Sequence, residues 1–220
     1  MAELTIRQER DPAVLAALHA SLIVPLFPPE ERGTAQELVA SVGGGRSTVL
    51  VAAADGQGQP LQDAGLAVLE TWPEVPDVTL LAWVAVSPRT RSRGTGAALL
   101  RSVLAQVGDR LLLAEIEPAD TPVRHDDYGD PAARTAFYVR HGGRSLDLPY
   151  WQPPIRPGAP AVRLELIVIP QPGSSVPEEL PAEPTRSFLA TYALPHLSAD
   201  LAEPLRQACA SPILRTRRLG

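Results

Sequence analysis

Three arginines and two glycines crowd into nine residues, Pro88-Arg89-Thr90-Arg91-Ser92-Arg93-Gly94-Thr95-Gly96. They join an apolar run that reads as a strand (LLAWVAV, 80–86) to one that reads as a helix (AALLRSVLAQV, 97–107). A strand that feeds a glycine-rich turn into a helix leaves the first helical N–H groups without intrahelical acceptors, at the positive end of the helix dipole. Glycine lets a backbone approach a bulky anion and takes positive φ without a Cβ penalty. Guanidinium forks suit phosphate oxygens. The stretch therefore points to a phosphate or diphosphate, with a solvated basic turn as the alternative that nine residues alone leave open.

Other groups that could do chemistry are fewer. Glu115 and Glu117, two apart in LLLAEIE (111–117), share a face if that strand is regular. With Gly94 and Gly96 about twenty residues earlier, they also allow a dinucleotide-binding reading in which one carboxylate holds a ribose. Against it, the position of the third glycine is Leu99, and Gly94 comes eight residues after Val86, too far for that motif's tight turn. His125-Asp126-Asp127 reads as a solvated acidic loop, because adjacent side chains rarely converge on a metal and no other His or Cys completes a set. His141 reads as a cation at a helix C-terminus. No GxSxG or HExxH occurs, so serine-hydrolase and zincin chemistry have no support.

Composition excludes further classes. The chain has 220 residues, a formal charge of −5 and no lysine, which removes Schiff-base chemistry and the phosphate lysine of P-loops and kinases. The acidic balance argues against a nucleic-acid surface. A single cysteine, Cys209, excludes an internal disulfide framework and a cysteine-based metal cluster. No run is apolar for long enough to span a membrane, and MAELTIRQER lacks the apolar core of a signal peptide, so the expectation is a cytoplasmic protein.

The elements that must position these residues follow from periodicity and punctuation. After a short strand at Leu4–Arg7, Asp11-Pro12 opens a helix expected over 11–24, which PLFPPEER breaks. A second helix is expected over 31–41, ending at Gly43-Gly44-Gly45. Strands are expected at 47–54, 64–72 and 78–86, with a turn at 55–62. Helix 96–107 carries Leu99, Leu100, Val103, Leu104 and Val107 on one face. Strand 111–117 follows, then a helix opened by Asp130-Pro131 and closed by Gly142-Gly143, then strands at 144–148 and 162–169. The pattern implies an α/β (α+β) domain around a mixed, mostly antiparallel sheet flanked by helices, with a short helical C-terminal extension. The expected boundaries are a domain over 1–169, a proline-rich linker over 170–184 and a helical extension over 185–220. Leu197, Leu201, Leu205 and Cys209 form a stripe in that extension, which Pro204 interrupts by a kink or a later helix start. The stripe packs on its own core or on a second copy, so a monomer or a homodimer is expected.

Within this frame, WVAVSPRTRSRGTGAALL resembles the acyl-CoA-binding motif of the GNAT superfamily of N-acetyltransferases, Gln/Arg-x-x-Gly-x-Gly/Ala after a strand ending near Val-Ser-Pro. AFYVRHGGR (136–144) is similar to that family's second signature, an aromatic-Tyr pair shortly before a helix-ending glycine. The order and separation of the two motifs agree with the family, and the resemblance spans roughly residues 3–169. PLFPPEER together with Tyr150-Trp151-Gln152-Pro153-Pro154 resembles a bacterial branch of it.

The resemblance implies acetyl-CoA as co-substrate and a small-molecule or peptide amine as acceptor. The N–H groups of Arg93, Gly94, Thr95, Gly96 and Ala97 would cradle the diphosphate, with Arg91 at its mouth. The backbone at Ala85 and Val86 would pair with the pantetheine amides. Tyr138 falls at the family's acid position, to protonate the leaving thiolate. Glu115 or Glu117 is the expected base, with Glu70 a weaker one, since a desolvated carboxylate has the raised pKa a base needs. Tyr150 and Trp151 are candidates for lining the acceptor. No metal is implied. Two other functions stay open: a non-catalytic acyl-CoA-binding or sensing module, and the NAD-binding oxidoreductase of the partial dinucleotide match.

Overall fold

A computed structural model of the chain describes residues 4–54, 62–91, 93–122 and 128–220. His125-Asp126-Asp127, Ser92 and the turn from Asp55 to Leu61 lie outside the described residues. The chain forms two compact units, Met1–Thr71 with Leu81–Gly108 and Trp72–Leu80 with Asp109–Gly220.

In the first unit, β1 (Leu4–Glu9) leads to α1 (Pro12–Leu18). The Asp11 carboxylate accepts from the N–H groups of Ala13 (2.8 Å) and Val14 (3.1 Å), and Pro12 sits where a helix needs no donor. The expected single helix to residue 24 is instead interrupted by a π turn over His19–Ile23, in which Val24 N–H reaches back five residues to the His19 carbonyl. That turn sits just ahead of Pro25, whose ring and missing N–H disfavour a regular α turn. A short α2 (Val24–Leu26) follows. Helix α3 (Ala35–Gly43) starts later than expected, because Thr34 and Glu37 close a reciprocal capping box (Glu37 N to Thr34 Oγ1, 3.2 Å; Thr34 N to Glu37 Oε2, 2.7 Å).

Strands β2 (Ser47–Ala54), β3 (Gln62–Trp72) and β4 (Val75–Val86) and helix α4 (Thr95–Val107) complete this unit, β3 and β4 also giving residues to the second. The strand order is β1-β2-β3-β4, with β1–β2 and β2–β3 antiparallel. Val49, Val51, Leu66 and Val68 join Leu15, Leu18, Ile23 and Leu38 in one apolar cluster. Leu50 and Ala52, on the opposite face of β2, are also buried, and α4 lies against β1 and β2. Both faces of β2 are therefore covered by helices.

The second unit contains β5 (Leu111–Ile116), α5 (Pro131–Arg140), β6 (Arg144–Leu146), β7 (Trp151–Gln152), β8 (Val162–Arg163), β9 (Glu165–Ile169), β10 (Glu179–Pro181), α6 (Ala182–Tyr192), α7 (Ala199–Ala208) and β11 (Ile213–Arg218). Five strands pair antiparallel in the order β5-β9-β6-β11-β10, and β7 and β8 form a separate ribbon. Asp130 caps α5 through Ala132 N–H at 2.9 Å. These registers give the mixed, mostly antiparallel α/β fold read from the sequence; they do not build the doubly wound parallel sheet of a dinucleotide fold.

The C-terminal segment is more structured than the sequence pattern implies. The stretch read as a linker over 170–184 contains β10 and the start of α6, and the extension carries β11 besides its two helices. Helix α7 begins at Ala199 and runs through Pro204. Among the described residues no helix is long and apolar enough to cross a membrane, and no group of three or more His, Cys, Asp or Glu is placed to hold a metal ion.

Candidate functional site

The phosphate-type features lie in the first unit. After Val86 the chain makes a 3₁₀ turn (Pro88–Thr90) and folds back on one carbonyl: Thr90 O accepts from Arg93 N–H (3.3 Å) and from Thr95 Oγ1 (3.5 Å). Gly94 then caps α4 in the left-handed region (φ +83°), with no side chain over the helix end. The first intrahelical bond is Ala98 N–H to Gly94 O, 2.9 Å. The N–H groups of Thr95, Gly96 and Ala97 consequently have no acceptor among the described residues, at the positive pole of a 13-residue helix. Arg93, expected to join that cradle, has its N–H committed to Thr90. Arg89, Arg91 and Arg93 are all exposed.

The backbone around the turn is fixed by a close approach. A Cβ on Gly65 of β3 would stand 2.6 Å from the Ala85 carbonyl and 3.3 Å from both Thr95 Cγ2 and Leu99 Cδ1. The missing side chain at 65 thus lets β3, the end of β4 and the first turn of α4 meet. Ala85 and Thr95 are buried, and Val86 is half-buried. Glu70, the weaker base candidate, is paired with Arg46 at 3.2 Å.

The carboxylates and tyrosines lie in the second unit. Glu115 is half-buried on β5 and accepts three donors: Tyr150 Oη on Oε1, and Gln152 Nε2 (3.0 Å) and Tyr192 Oη (3.3 Å) on Oε2. Burial, the nearby Glu115 charge and the Tyr192 hydroxyl push the Tyr150 phenol well above its ordinary value. Glu117, just past the end of β5, is buried and paired instead with Arg134 at 2.7 Å; Arg134 also donates to the Tyr128 carbonyl at 2.9 Å. The two glutamates therefore have different partners.

Tyr138 on α5 is buried, and loss of hydration raises its phenol to about 12 against a smaller opposing pull from Arg134. Its carbonyl accepts from His141 and Gly143 N–H where the helix ends. The His141 ring bonds the Phe137 carbonyl at 2.8 Å, in keeping with a helix-terminal role. Trp151 is half-buried and pairs across the ribbon with Arg163. Gln152, Tyr192 and the rings beside Tyr192 were not among the sequence candidates, since nothing local places residue 192 next to residue 115.

No family model matches the chain, and no curated protein matches its sequence. Solved structures do resemble it. A protein from Bacteroides thetaiotaomicron assigned to the GNAT acetyltransferase family is 22% identical, over 74% of this chain and 86% of its own, with a TM-score of 0.55. A protein from Salmonella typhimurium assigned as an acetyltransferase, and solved with its cofactor acetyl-CoA, is 18% identical over 79% and 97%, with a TM-score of 0.52. Ard1 from Thermoplasma volcanium is 15% identical over 76% and 99%, at 0.51. At these identities the likeness is one of fold.

Proposed function

We propose that this chain, which has the fold of the GNAT acetyltransferases, is an acyl-CoA-dependent N-acetyltransferase that passes an acetyl group from acetyl-CoA to a primary amine by direct attack. The observation that carries this is the end of α4: open N–H groups at Thr95, Gly96 and Ala97, a left-handed Gly94 and three exposed arginines beside them. Such a helix end suits the diphosphate of coenzyme A, and it sits on a fold whose Salmonella example was solved with acetyl-CoA. Acetyl-CoA supplies a thioester whose carbonyl accepts a nucleophile.

The amine nitrogen must lose a proton as its bond to the acetyl carbon forms and the carbon–sulfur bond breaks. We assign the base to Glu115. Its hydroxyl and amide donors are neutral, whereas Glu117 is committed to the charged guanidinium of Arg134. We assign to Tyr138 the thiolate that leaves. With its phenol raised to about 12, it stabilises that sulfur by donating a hydrogen bond more than by full proton transfer, since an ordinary thiol titrates at about 8.5.

Calorimetric titration with acetyl-CoA, with NAD as comparison, tests the reading. Micromolar-range binding of acetyl-CoA alone supports it. Silence in calorimetry and in equilibrium dialysis would make the glycine turn an empty one and remove the proposal.

A further inference from the structure

Three donors from two separate stretches of the second unit meet at one carboxylate, and one of them comes from the C-terminal segment. Tyr150 donates to Oε1 of Glu115, and Gln152 and Tyr192 share Oε2. Tyr192 closes α6, far outside the stretch that carries the two family-like motifs. An ionised carboxylate accepts and never donates, so Gln152 must turn its amide nitrogen toward it. Its Oε1 then points elsewhere, and that oxygen is buried with no donor among the described residues. Gln152 as a whole is only 7% exposed. A buried acceptor without a donor is uncommon, and it marks a place for a bound water or a ligand N–H.

Aromatic rings stand beside this cluster. Trp72 lies 5.4 Å from Phe188 and 5.4 Å from Tyr192, and Phe188 and Tyr192 stack at 5.1 Å. Phe188 is wholly buried, while Tyr192 remains half-buried with its hydroxyl on Glu115. A negative carboxylate, an unpartnered amide oxygen and aromatic faces are together the chemistry that recognises a primary ammonium: a counter-charge, an acceptor for N–H and a cation–π surface.

We propose that α6 builds an amine seat within the second unit: Tyr192 holds Glu115 in place while Trp72 and Gln152 meet the primary amine, so the C-terminal segment sets which amine is used. Tyr192 is a positioning residue, acting through Glu115. The proposal rests on the acetyltransferase reading.

The experiment uses the full-length protein with tyramine, spermidine and the tripeptide Ala-Gly-Gly as probes, following release of the coenzyme A thiol. The expected result is turnover of at least one probe. Tyr192→Phe and, independently, Gln152→Leu should then raise the KM of that amine by roughly three- to tenfold, the value of one hydrogen bond. The Kd of acetyl-CoA should not move, and the thermal midpoint should fall by no more than a few degrees, roughly the cost of one hydrogen bond. Unchanged KM in both variants overturns the seat while leaving the acetyltransferase reading intact. A rise in KM matched by weaker acetyl-CoA binding and a larger fall in midpoint assigns the network to scaffolding and also overturns it. Wild-type protein that binds acetyl-CoA but neither turns over nor binds any probe overturns it as well. Failure to bind acetyl-CoA removes the underlying reading instead.

Discussion

Burial makes Tyr138 a poor acid in solution terms and a useful donor inside the protein. Its phenol, raised to about 12, is protonated throughout the range in which an acetyl transfer would run. Tyr138→Phe should therefore lower kcat by about a hundredfold and leave the Kd of acetyl-CoA unchanged, a contrast that single-turnover kinetics and calorimetry resolve. The same shift has a stability consequence. Between about pH 10 and 12 the unfolded chain loses this proton while the folded one keeps it, so stability falls as pH rises through that window, by about 3 kcal/mol at most. Tyr150 acts in the same direction. Urea denaturation at pH 9 and pH 11.5 checks this: Tyr138→Phe should lose less stability across the interval than the wild type. The two glutamates separate by a different test. Glu115→Gln should fold and lose activity by about a hundredfold or more, whereas Glu117→Gln, which leaves Arg134 its bond to the Tyr128 carbonyl but removes its counter-charge, should lose about 1–2 kcal/mol of stability in chemical denaturation. These roles are readable from the sequence only as far as residue type and motif position reach. Choosing between Glu115 and Glu117 needs their partners, and those come from residues 134, 150, 152 and 192.

Glycine decides how the elements meet, for two different reasons. Gly94 needs its left-handed φ of +83°, and a Cβ there would touch nothing within 4 Å. Gly94→Ala should thus lose about 1–2 kcal/mol through backbone strain alone, and it should weaken acetyl-CoA binding because relief of that strain reorients the first turn of α4. Gly65 has ordinary φ but no space, since a Cβ there would meet the Ala85 carbonyl at 2.6 Å. Gly65→Ala should be the more damaging change, since rigid backbone rather than torsion is what must give. Thermal unfolding of both variants, with acetyl-CoA calorimetry, checks the order. The helices that open at Asp11-Pro12 and Asp130-Pro131 are readable from the sequence because cap and first-turn chemistry are local. The late start of α3 is just as local, set by the Thr34–Glu37 capping box that a reading from the PLFPPEER break passes over, whereas nothing in the residue pattern marks the π turn at His19–Ile23 apart from an α turn. Strand β11 escapes a hydrophobic reading altogether. Ile213, Arg215, Arg217 and Arg218 fill its exposed positions, and what makes it a strand is pairing with β6, Thr216 opposite Leu146.

That pairing makes the C-terminal segment part of the second unit and not an appendage to it. Thr216 is tied from both sides: its N–H donates to the Glu178 carbonyl at 2.8 Å, its hydroxyl to Pro177 at 2.7 Å, and it accepts Arg144 Nε at 2.7 Å. Arg186 holds the far end by donating to the carbonyls of Cys209 and Ser211, both at 3.0 Å. Half of the apolar stripe read from the sequence ends inside the second unit, with Leu205 wholly buried and Cys209 nearly so, while Leu197 and Leu201 are half-buried. Phe188 and Leu189 are equally enclosed, and each such side chain contributes about 1.5–3 kcal/mol by leaving water. Removing residues 170–220 would take away all of these and leave β6 as a bare edge, open to pairing with other chains. A variant ending at Ile169 should accordingly be insoluble, or fail to show cooperative unfolding. The milder deletion of 212–220 should lower the thermal midpoint and, in hydrogen exchange, release the β6 amides that face β11 while those of β2 keep their protection. An unchanged midpoint with β6 still protected would mean the sheet ends at β6 in solution, and the route from the C-terminal segment to Glu115 would lose its support.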